Sequence, residues 1–349
     1  MKIAIITGSC GLVGSESSIY FSKKGFKIIG IDNNIRKFFF GKDGDITRIK
    51  KKLKKNIKNY NHFHVDIRNY KIIKKIFSKY SKNIKVIIHA AAQPSHDWAK
   101  NEPLMDFDIN ARGTLNLLEL TKLYCPNAPF IFMSTNKVYG DNPNYLPLEE
   151  KNTRWEIKNT HRFKSGIDET MSIDNCTHSF FGVSKSYADL IVQEYGKNVG
   201  LNTACFRAGC ITGPNHSGAK LHGFLSYLVK SSLKNKEYNL IGYKGKQVRD
   251  NIHSEDLASC FWEFYKKPGK GEVYNTGGGR FSNCSIVEAL NLVEKITGIK
   301  IKRKIFKQNR IGDHIWYISS MKKFKKKYPK WKQKYSTSKI IKELIREFS

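Results

Sequence analysis

The amino-acid sequence predicts an α/β protein with a doubly wound parallel sheet and a smaller C-terminal substrate-binding lobe. Two observations predict the main sheet. Short apolar runs alternate with longer helical segments as far as residue 207, and a glycine-rich turn joins the first run to the first helix. Such alternation is typical of βαβ units, whose parallel strands are buried on both faces. Beyond residue 207 the alternation weakens, which predicts the second lobe.

The individual elements follow from the spacing of the apolar residues, which differs between buried strands and amphipathic helices. The predicted strands are Lys2–Ile6, Lys27–Ile31, His62–Val65, Lys85–His89, Phe130–Met133 and Thr203–Arg207. The predicted helices span residues 12–24, 46–58, 69–80, 103–124, 184–198, 221–234, 284–297 and 338–347. We therefore predict a main domain over 1–207, with 250–262 returning to it, and a lobe made of 208–249 and 263–349.

The net charge is strongly positive, because 62 Lys and Arg residues face 30 Asp and Glu residues, a difference of +32. Only 12 of the basic residues are Arg, so Lys accounts for the excess. Proteins that read nucleic acids rely on the bidentate guanidinium of Arg. We therefore expect a Lys-coated surface, an anionic small-molecule substrate and no nucleic-acid partner. The Lys-rich stretch 322–334 is interpreted as a solvated face, with a phosphate-binding patch as the alternative.

The seven cysteines are scattered and include no CxxC pair, which favours a reducing cytoplasm over a disulfide framework or a zinc ribbon. The His, Cys and carboxylate residues show no metal-ligand spacing, so no metal is expected. No apolar run approaches the roughly 18 residues of a membrane span, and the first apolar run is too short for a signal peptide. We therefore expect a cytoplasmic protein without a membrane partner.

The glycine-rich turn, Thr7–Gly14, follows the first predicted strand and opens the first helix. At such a turn, Gly8, Gly11 and Gly14 let the backbone bend tightly and approach a pyrophosphate. The charge of the pyrophosphate is then stabilised by the helix N-terminus, where Leu12 lies. The turn therefore predicts a dinucleotide site.

Asp32 ends the second predicted strand, where a carboxylate can accept hydrogen bonds from the adenosine ribose and repel a 2′-phosphate. NAD is therefore favoured over NADP, although Arg36 lies nearby in the sequence. Ligands of open α/β sheets bind at the carboxyl ends of the strands, so the next residues along the chain are candidate contacts for the same cofactor. These candidates are Asn33, Asp66, Ile67, Ala90 and Ala91.

The glycine turn, the acidic strand end, the HAAA motif at 89–92, the STNKVYG motif at 134–140 and a Lys-bearing helix together resemble the extended short-chain dehydrogenase/reductases. The resemblance covers nearly the whole chain and implies a Rossmann domain, bound NAD and a nucleotide-sugar substrate. It also implies a homodimer or homotetramer formed through the helices at 103–124 and 184–198. The segments 106–119, 134–141 and 245–250 narrow the resemblance to the branch that inverts C2 of CDP-paratose.

The reaction that this resemblance implies is a hydride relay, in which a sugar carbon is oxidised to a ketone and then reduced from the opposite face. Thr135 and Lys185 occupy the family's catalytic Ser/Thr and Lys positions. Asn110 is assigned to the cofactor side of the cavity. The residues assigned to the substrate are Lys137, Asn215, His216, Arg249 and Arg310, the two Arg as clamps for the substrate pyrophosphate.

One position departs from the family pattern. The family has a catalytic Tyr four residues before the Lys, whereas this chain has Phe181, whose ring can neither take nor give a proton. Three explanations stay open: another side chain replaces the base, Thr135 and a water suffice, or the chain binds a nucleotide sugar without turning it over. The side chains considered as replacement bases are Lys185, His178, Cys210 and His216.

The leading hypothesis from the sequence is an NAD-dependent nucleotide-sugar epimerase. The alternatives are a dehydratase or reductase on the same scaffold and a non-catalytic nucleotide-sugar binding protein. In this family a dehydratase normally carries an Asp-Glu pair after the catalytic Ser/Thr. This chain has Asn136 and Lys137 there, which favours the epimerase.

Overall fold

In a computed structural model, the described residues are 1–216, 223–306 and 312–349, and they fall into two compact units. The first unit comprises Met1–Val138, Ser179–Arg207 and Leu257–Tyr274. The second comprises the described parts of Tyr139–His178, Ala208–Asp256 and Asn275–Ser349. Among the described residues, no helix is both long and apolar enough to cross a membrane.

The strands and helices are numbered along the chain. The strands are β1 (Ile3–Thr7), β2 (Lys27–Ile31), β3 (Tyr60–Phe63), β4 (Ile84–His89), β5 (Phe130–Thr135), β6 (Leu148–Glu150), β7 (Trp155–Ile157), β8 (Thr203–Ala208), β9 (Cys210–Thr212), β10 (Tyr238–Ile241), β11 (Val248–His253), β12 (Glu272–Thr276), β13 (Asn283–Ser285), β14 (Arg303–Phe306) and β15 (Trp316–Tyr317). The helices are α1 (Leu12–Lys23), α2 (Ile35–Phe40), α3 (Thr47–Asn56), α4 (Tyr70–Tyr80), α5 (His96–Asn101), α6 (Pro103–Phe107), α7 (Gly113–Tyr124), α8 (Phe180–Lys197), α9 (Phe224–Leu233), α10 (Ser254–Lys266), α11 (Ile286–Thr297), α12 (Lys322–Lys327) and α13 (Thr337–Phe348).

The main sheet confirms the predicted doubly wound architecture. Its strands pair in the order β12-β8-β5-β4-β1-β2-β3, and β1 is parallel to both β2 and β4. The order therefore reverses between β1 and β4, the place where such sheets bind their ligands. Thr7 and His89, the last residues of β1 and β4, are neighbours in the register at that edge.

The first unit has an apolar core that fixes the strand ends in place. All residues of β1 are buried, and the inward faces of α4 and α7 supply Phe77 and Leu117 to the same core. Close packing of this kind leaves little freedom to the loops that leave the carboxyl edge.

The second unit is built around β11, which pairs in parallel with β9 and β15 and antiparallel with β13. A separate core lies between α9, α11 and α13, with Leu228, Leu290 and Ile341 fully buried. The second unit therefore has a hydrophobic core of its own, as an independent unit requires.

The division of the chain differs from the predicted one in two places. Tyr139–His178 belongs to the second unit, although residues 1–207 are predicted to be continuous. The segment is held there by hydrogen bonds from the Trp155 N–H to the Lys246 carbonyl and from the Ile167 N–H to the Ile318 carbonyl. The return to the first unit is Leu257–Tyr274, whereas a return at 250–262 is predicted. The polar residues that begin the predicted return lie in β11 of the second unit.

The element boundaries also differ locally. The third strand is Tyr60–Phe63 instead of His62–Val65, and α2, α5, α10 and α12 lie where no helix is predicted. Helices α2 and α5 each have six residues, too few to show helical periodicity in a sequence. Part of the helix predicted at 221–234 lies outside the described residues, and α9 covers the rest.

Candidate active site

The glycine turn is fixed by contacts that exclude larger residues. Gly8 has φ of +63°, and a Cβ on it would lie 2.7 Å from the Ala91 nitrogen. A Cβ on Gly14 would lie 2.0 Å from the Gly8 carbonyl oxygen. Gly8 and the segment after β4 therefore approach each other closely through backbone atoms.

Helix α1 opens directly from this turn, with Gly11 as its N-cap residue. Because glycine has no side chain to cap the helix, the first-turn N–H groups from Leu12 onward can bind an anion. A Cβ at Gly11 would meet the Gly8 oxygen at 3.3 Å, so Gly11 borders the turn more loosely than Gly14 does. This cradle fits a pyrophosphate.

Asp32 connects the end of β2 to the glycine turn. Its Oδ2 accepts a hydrogen bond from the Cys10 N–H at 3.0 Å, and its Oδ1 accepts one from the Asn34 N–H at 2.9 Å. Burial raises the pKa of Asp32, and these two hydrogen bonds oppose the rise. A carboxylate has about four lone-pair positions, so Asp32 can hold the turn and still accept from ribose hydroxyls.

Asn33 and Asp66 form a second polar group at the same edge. The Asn33 amide donates to Asp66 Oδ2 at 2.8 Å, and the Arg68 guanidinium donates to both Asp66 oxygens at 3.0 and 2.7 Å. Burial would raise the pKa of Asp66, but the Arg68 hydrogen bonds bring it below its usual value. Asp66 is therefore an ionised acceptor. Ile67 beside it is buried, and its Cδ1 would lie 2.6 Å from a Cβ on Gly113.

The end of β4 supplies small residues and one histidine whose two ring nitrogens are both hydrogen-bonded. The Ala90 N–H donates to the Thr7 carbonyl, and the Ala91 N–H lies 3.2 Å from Thr7 Oγ1. His89 bonds Thr7 through Nδ1 at 2.7 Å and Thr114 through Nε2 at 2.9 Å. Burial, and then the Lys185 charge, hold its pKa well below the usual value. His89 is therefore a neutral structural residue.

Asn110 lies in a π-helical turn, Asp108–Arg112, between α6 and α7. Its side chain is buried and bonds Gln93 at both backbone groups, Asp106 at 3.0 Å and Ser184 at 3.1 Å. It therefore ties the loop after β4 to α8. Turns of this kind are frequent at functional sites.

Thr135 ends β5 and is half-buried at the carboxyl edge of the sheet. Its hydroxyl lies 3.3 Å from Asn136 Oδ1 and accepts from the Lys137 N–H at 3.2 Å. Lys137 is half-buried in the short 3₁₀ turn that follows. The strand end therefore presents a hydroxyl that can donate to a substrate oxygen.

Lys185 is buried in α8 and reaches back to the same strand. Its Nζ donates to the Met133 carbonyl at 2.8 Å and lies 4.1 Å from the centroid of the Phe132 ring. Burial lowers its pKa to about 8, opposed by the charges of Asp189 and Asp106. Lys185 is therefore mainly an ammonium at pH 7, with two N–H donors beyond the one that Met133 accepts.

A buried ion pair fixes β5 and α8 beneath this lysine. Asp189 accepts from the Arg207 guanidinium at 3.0 and 2.7 Å, from Ser134 at 2.5 Å and from Gln193 at 2.8 Å. These hydrogen bonds compensate the burial of both charges. Ser134 is the residue before Thr135, so the network holds the strand end that carries Thr135 in place.

Phe181 is buried on the first turn of α8, four residues before Lys185 and on the same face of the helix. Its ring packs edge-on against the imidazole of His96, with 4.9 Å between the ring centroids. His96 begins α5, on the segment that leaves β4. Sequence reasoning missed this histidine. Its position in the loop that follows the HAAA motif was the available signal.

The residues predicted to bind the substrate lie partly in the second unit. Arg249 on β11 forms an ion pair with Asp313, and its Nη1 donates to the Val248 carbonyl at 2.8 Å. Asn215 and His216 are buried just after β9. Arg310 and the neighbouring residues 307–311 lie outside the described residues. The candidate bases His178, Cys210 and His216 also belong to the second unit.

These features define a dinucleotide-binding α/β scaffold, and the family comparison agrees. The model of the NAD dependent epimerase/dehydratase family matches residues 4–277, and the chain belongs to this family. Its cofactor is NAD, as predicted from the glycine turn and Asp32.

The chain is also similar to individual proteins of this family. The chain is 32% identical over 309 residues to CDP-paratose 2-epimerase of Salmonella typhi, with 86% of each chain covered. It is 25% identical over 349 residues to UDP-glucuronate 4-epimerase of Thermodesulfobacterium geofontis, with 99% of this chain and 95% of the relative covered. UDP-glucose 4-epimerase of Thermus thermophilus, solved in complex with NAD, shares the fold at a TM-score of 0.78 and 22% identity. That match covers 100% of this chain and 99% of the other.

Proposed function

We propose that this protein is a nucleotide-sugar epimerase that inverts C2 of CDP-paratose, giving CDP-tyvelose. The observation that carries the proposal is the retained pair of Thr135 at the end of β5 and Lys185 held against the same strand by the Met133 carbonyl. Together they provide the hydroxyl and the ammonium that a hydride relay at this strand end would need. The 32% identity to CDP-paratose 2-epimerase supports the choice of sugar.

The residues of the chain divide the work of the reaction. NAD, when bound, supplies the redox chemistry by accepting a hydride from the sugar carbon and returning it to the opposite face. The glycine turn, Asp32 and Asp66 hold and orient the cofactor. The Lys185 ammonium would donate to the nicotinamide ribose, and the Thr135 hydroxyl would donate to the sugar oxygen as it becomes a carbonyl.

The strand end after Thr135 favours an epimerase over a dehydratase. A dehydratase must also remove a proton and expel a hydroxyl from neighbouring sugar carbons, which calls for an acid and a base at the strand end. This chain has the amide of Asn136 and the ammonium of Lys137 in those places, and neither is a carboxyl group.

The test of this proposal has two readouts on the purified protein. We expect nearly one NAD per chain when the denatured protein is examined by mass spectrometry, because a recycled cofactor is held tightly. We expect CDP-paratose and CDP-tyvelose to interconvert by proton NMR in D₂O without deuterium at C2, because the hydride returns directly. Deuterium at C2 would contradict the relay. A 4-keto product from CDP-glucose would establish the dehydratase instead.

The homo-oligomer expected from the sequence is part of the same proposal, and an exposed apolar stripe supports it. Phe180, Val183, Tyr187 and Leu190 recur at helical spacing along α8 and are all exposed. The Tyr187 ring contacts that of Phe107 on α6, which is also exposed. An exposed apolar patch of this kind is typical of an interface, here with a second copy of the chain.

Replacing Val183 with Glu tests the interface. A charge in the middle of the stripe should convert the oligomer to monomer in sedimentation-velocity experiments. Ile305→Glu is the matched control, because Ile305 is about as exposed as Val183 but lies on β14, outside both helices of the expected interface. A wild-type protein that sediments as a monomer at all concentrations would contradict the proposal.

A further inference from the structure

One step of the proposed reaction, the transfer of the sugar hydroxyl proton, has no residue assigned to it. Phe181 occupies the position from which the family's tyrosine performs it, and a phenyl ring cannot. The side chain that replaces the tyrosine has to lie against that position, carry an exchangeable proton near neutral pH and be held in a fixed orientation.

The imidazole of His96 meets the first requirement. It lies edge-on to the Phe181 ring, with 4.9 Å between centroids and 61° between the ring planes. His96 reaches this place from the segment that leaves β4 at the switch point of the sheet. It therefore approaches the family's tyrosine position from the cofactor-binding edge.

Ser179 holds the imidazole in place. Its Oγ lies 2.8 Å from His96 Nδ1 and also accepts the Gly182 N–H at 3.1 Å as the N-cap of α8. The hydroxyl oxygen has a second lone pair, so it can accept a proton-bearing Nδ1. In that arrangement Nε2 exchanges the proton, and the same hydrogen bond persists in the neutral and the charged imidazole.

We infer that His96 takes the place of the missing tyrosine as the proton carrier, exchanging a proton between its Nε2 and the sugar hydroxyl. This inference rests on the proposed epimerase function. In the first half-reaction, the hydroxyl O–H bond breaks and its proton passes to Nε2, while the C–H bond breaks and its two electrons leave with the hydrogen for NAD. A C=O bond forms. In the second half-reaction both transfers reverse at the other face of the sugar, so nothing beyond the bound NAD is needed as an oxidant.

Other groups of the first unit are less suited to the task. Lys185 is mainly charged at pH 7 and cannot accept a proton while it remains an ammonium. His89 is bonded at both ring nitrogens and is fully buried. The imidazole of His96 is half-buried, and histidine is the side chain that most often serves as a general acid or base.

The charged groups around His96 have to be considered in any pH experiment. Helix α5 packs against α6 and α8. The charged residues of α5 and α6 are Asp97, Lys100 and Asp106, Glu102 lies between the two helices, and the N-terminal part of α8 carries Lys185 and Asp189.

The first arm of the test needs no substrate. Diethyl pyrocarbonate modifies neutral histidine at an accessible nitrogen, and peptide mass spectrometry of NAD-loaded protein can follow the rate between pH 5 and 8. We expect His96 to be modified, and faster as the pH rises, because only the neutral imidazole reacts. His161, a half-buried histidine of the second unit, serves as the internal reference. If His96 stays unmodified throughout this range, the inference is overturned.

The second arm measures turnover of CDP-paratose by three variants. We expect His96→Gln to lower kcat about 100-fold or more with the NAD content unchanged. We expect Phe181→Tyr, added to His96→Gln, to restore at least a tenth of the lost activity, because the phenol supplies a proton carrier at the family position. His161→Gln is the matched control and should keep wild-type kcat.

The rescue separates chemistry from structure, because a histidine needed only for packing would not be replaced by a hydroxyl at position 181. The wild-type kcat should also fall at acid pH, where a histidine base becomes protonated, and this limb should disappear in the double variant. A His96→Gln protein with kcat within threefold of wild type, or an inactive double variant that still binds NAD, would overturn the inference. Wild-type protein that turns over no nucleotide sugar would refute the proposed function, and the chemical-modification arm would still decide whether His96 can carry a proton.

Discussion

The cofactor side of the first unit and the proposed substrate side of the second unit are built in different ways. In the first unit, the site residues are strand ends that neighbour one another in the sheet, such as Thr7 beside His89. In the second unit, partners come from distant parts of the chain. Arg249 pairs with Asp313, and His314 lies 2.8 Å from the Gly140 carbonyl oxygen.

This difference indicates how the sequence specifies cofactor binding on the one side and substrate binding on the other. A strand end and the loop that follows it form a short motif, so cofactor binding is encoded locally and tolerates little change. A substrate pocket made from distant segments can change one contact at a time, which allows different sugars on one scaffold. We therefore expect variants of the first unit to affect the cofactor and the chemistry, and variants of the second unit to affect substrate affinity.

The largest expected effect is that of Lys185→Ala. Removing the buried ammonium should lower kcat by about 10³-fold, because a preorganised charge beside the reacting groups is lost. Turnover of CDP-paratose and NAD content per chain are the measurements. Lys197→Ala is the control, since Lys197 lies at the exposed end of the same helix. Full activity in Lys185→Ala would show that the catalytic assignment is wrong.

Asp250 provides the next largest effect, and it tests the stability of the second unit. Its Oδ2 accepts from the Ser319 and Gly279 N–H groups, while its Oδ1 is buried without a hydrogen-bond partner among the described residues. Burial raises its pKa from 3.8 to about 6. The folded state therefore binds the proton more tightly than the unfolded state, and this stabilisation is present below pH 4 and lost as the pH rises through 6.

Urea unfolding of wild type and Asp250→Asn between pH 4 and 8 measures this loss. The free energy of unfolding of wild type, relative to the variant, should fall by about 3 kcal/mol over that range, since the two pKa values differ by roughly two units. Asp174→Asn, at an exposed carboxylate, should change little with pH. Parallel curves for wild type and Asp250→Asn would refute the effect.

The sequence predicted the first unit better than the second, and the reason lies in these local and distant contacts. The turn from Thr7 to Gly14 and the end of β2 at Asp32 could be recognised because each motif lies within one stretch of chain. The place of Tyr139–His178 in the second unit could not, because it depends on partners such as Lys246 and Ile318. Nothing in the local sequence specifies those partners.

The same difference between local motifs and distant contacts explains which site residues could be predicted from the sequence. Thr135 and Lys185 could be assigned from family motifs, whereas the contact between His96 and Phe181 joins residues 85 positions apart on two helices. The six residues of α5 are too few for periodicity to predict it. The ion pair of Arg249 with Asp313 likewise could not be predicted from the sequence.

Gly14→Ala sharpens the comparison on the cofactor side. Its new Cβ would lie 2.0 Å from the Gly8 oxygen, so the turn has to move, at a cost of about 2 kcal/mol in the free energy of unfolding. NAD content after gel filtration should also drop severalfold. Gly11→Ala is the matched variant, because its nearest neighbour is 3.3 Å away. We expect it to keep the stability of the apoprotein, and equal destabilisation of both variants would contradict this.

Arg249→Lys gives the smallest expected effect and tests the substrate side directly. A lysine keeps the charge but loses the fork that can bind a pyrophosphate at two points, so KM for the nucleotide sugar should rise about tenfold. The NAD content and kcat should stay near wild type, because the second unit is expected to act on substrate affinity alone. Arg303→Lys is the control, since Arg303 is an exposed arginine of the second unit that pairs with Glu294. If Arg249→Lys lowered NAD content as Gly14→Ala is expected to, the separation between a locally encoded cofactor side and a distributed substrate side would be wrong.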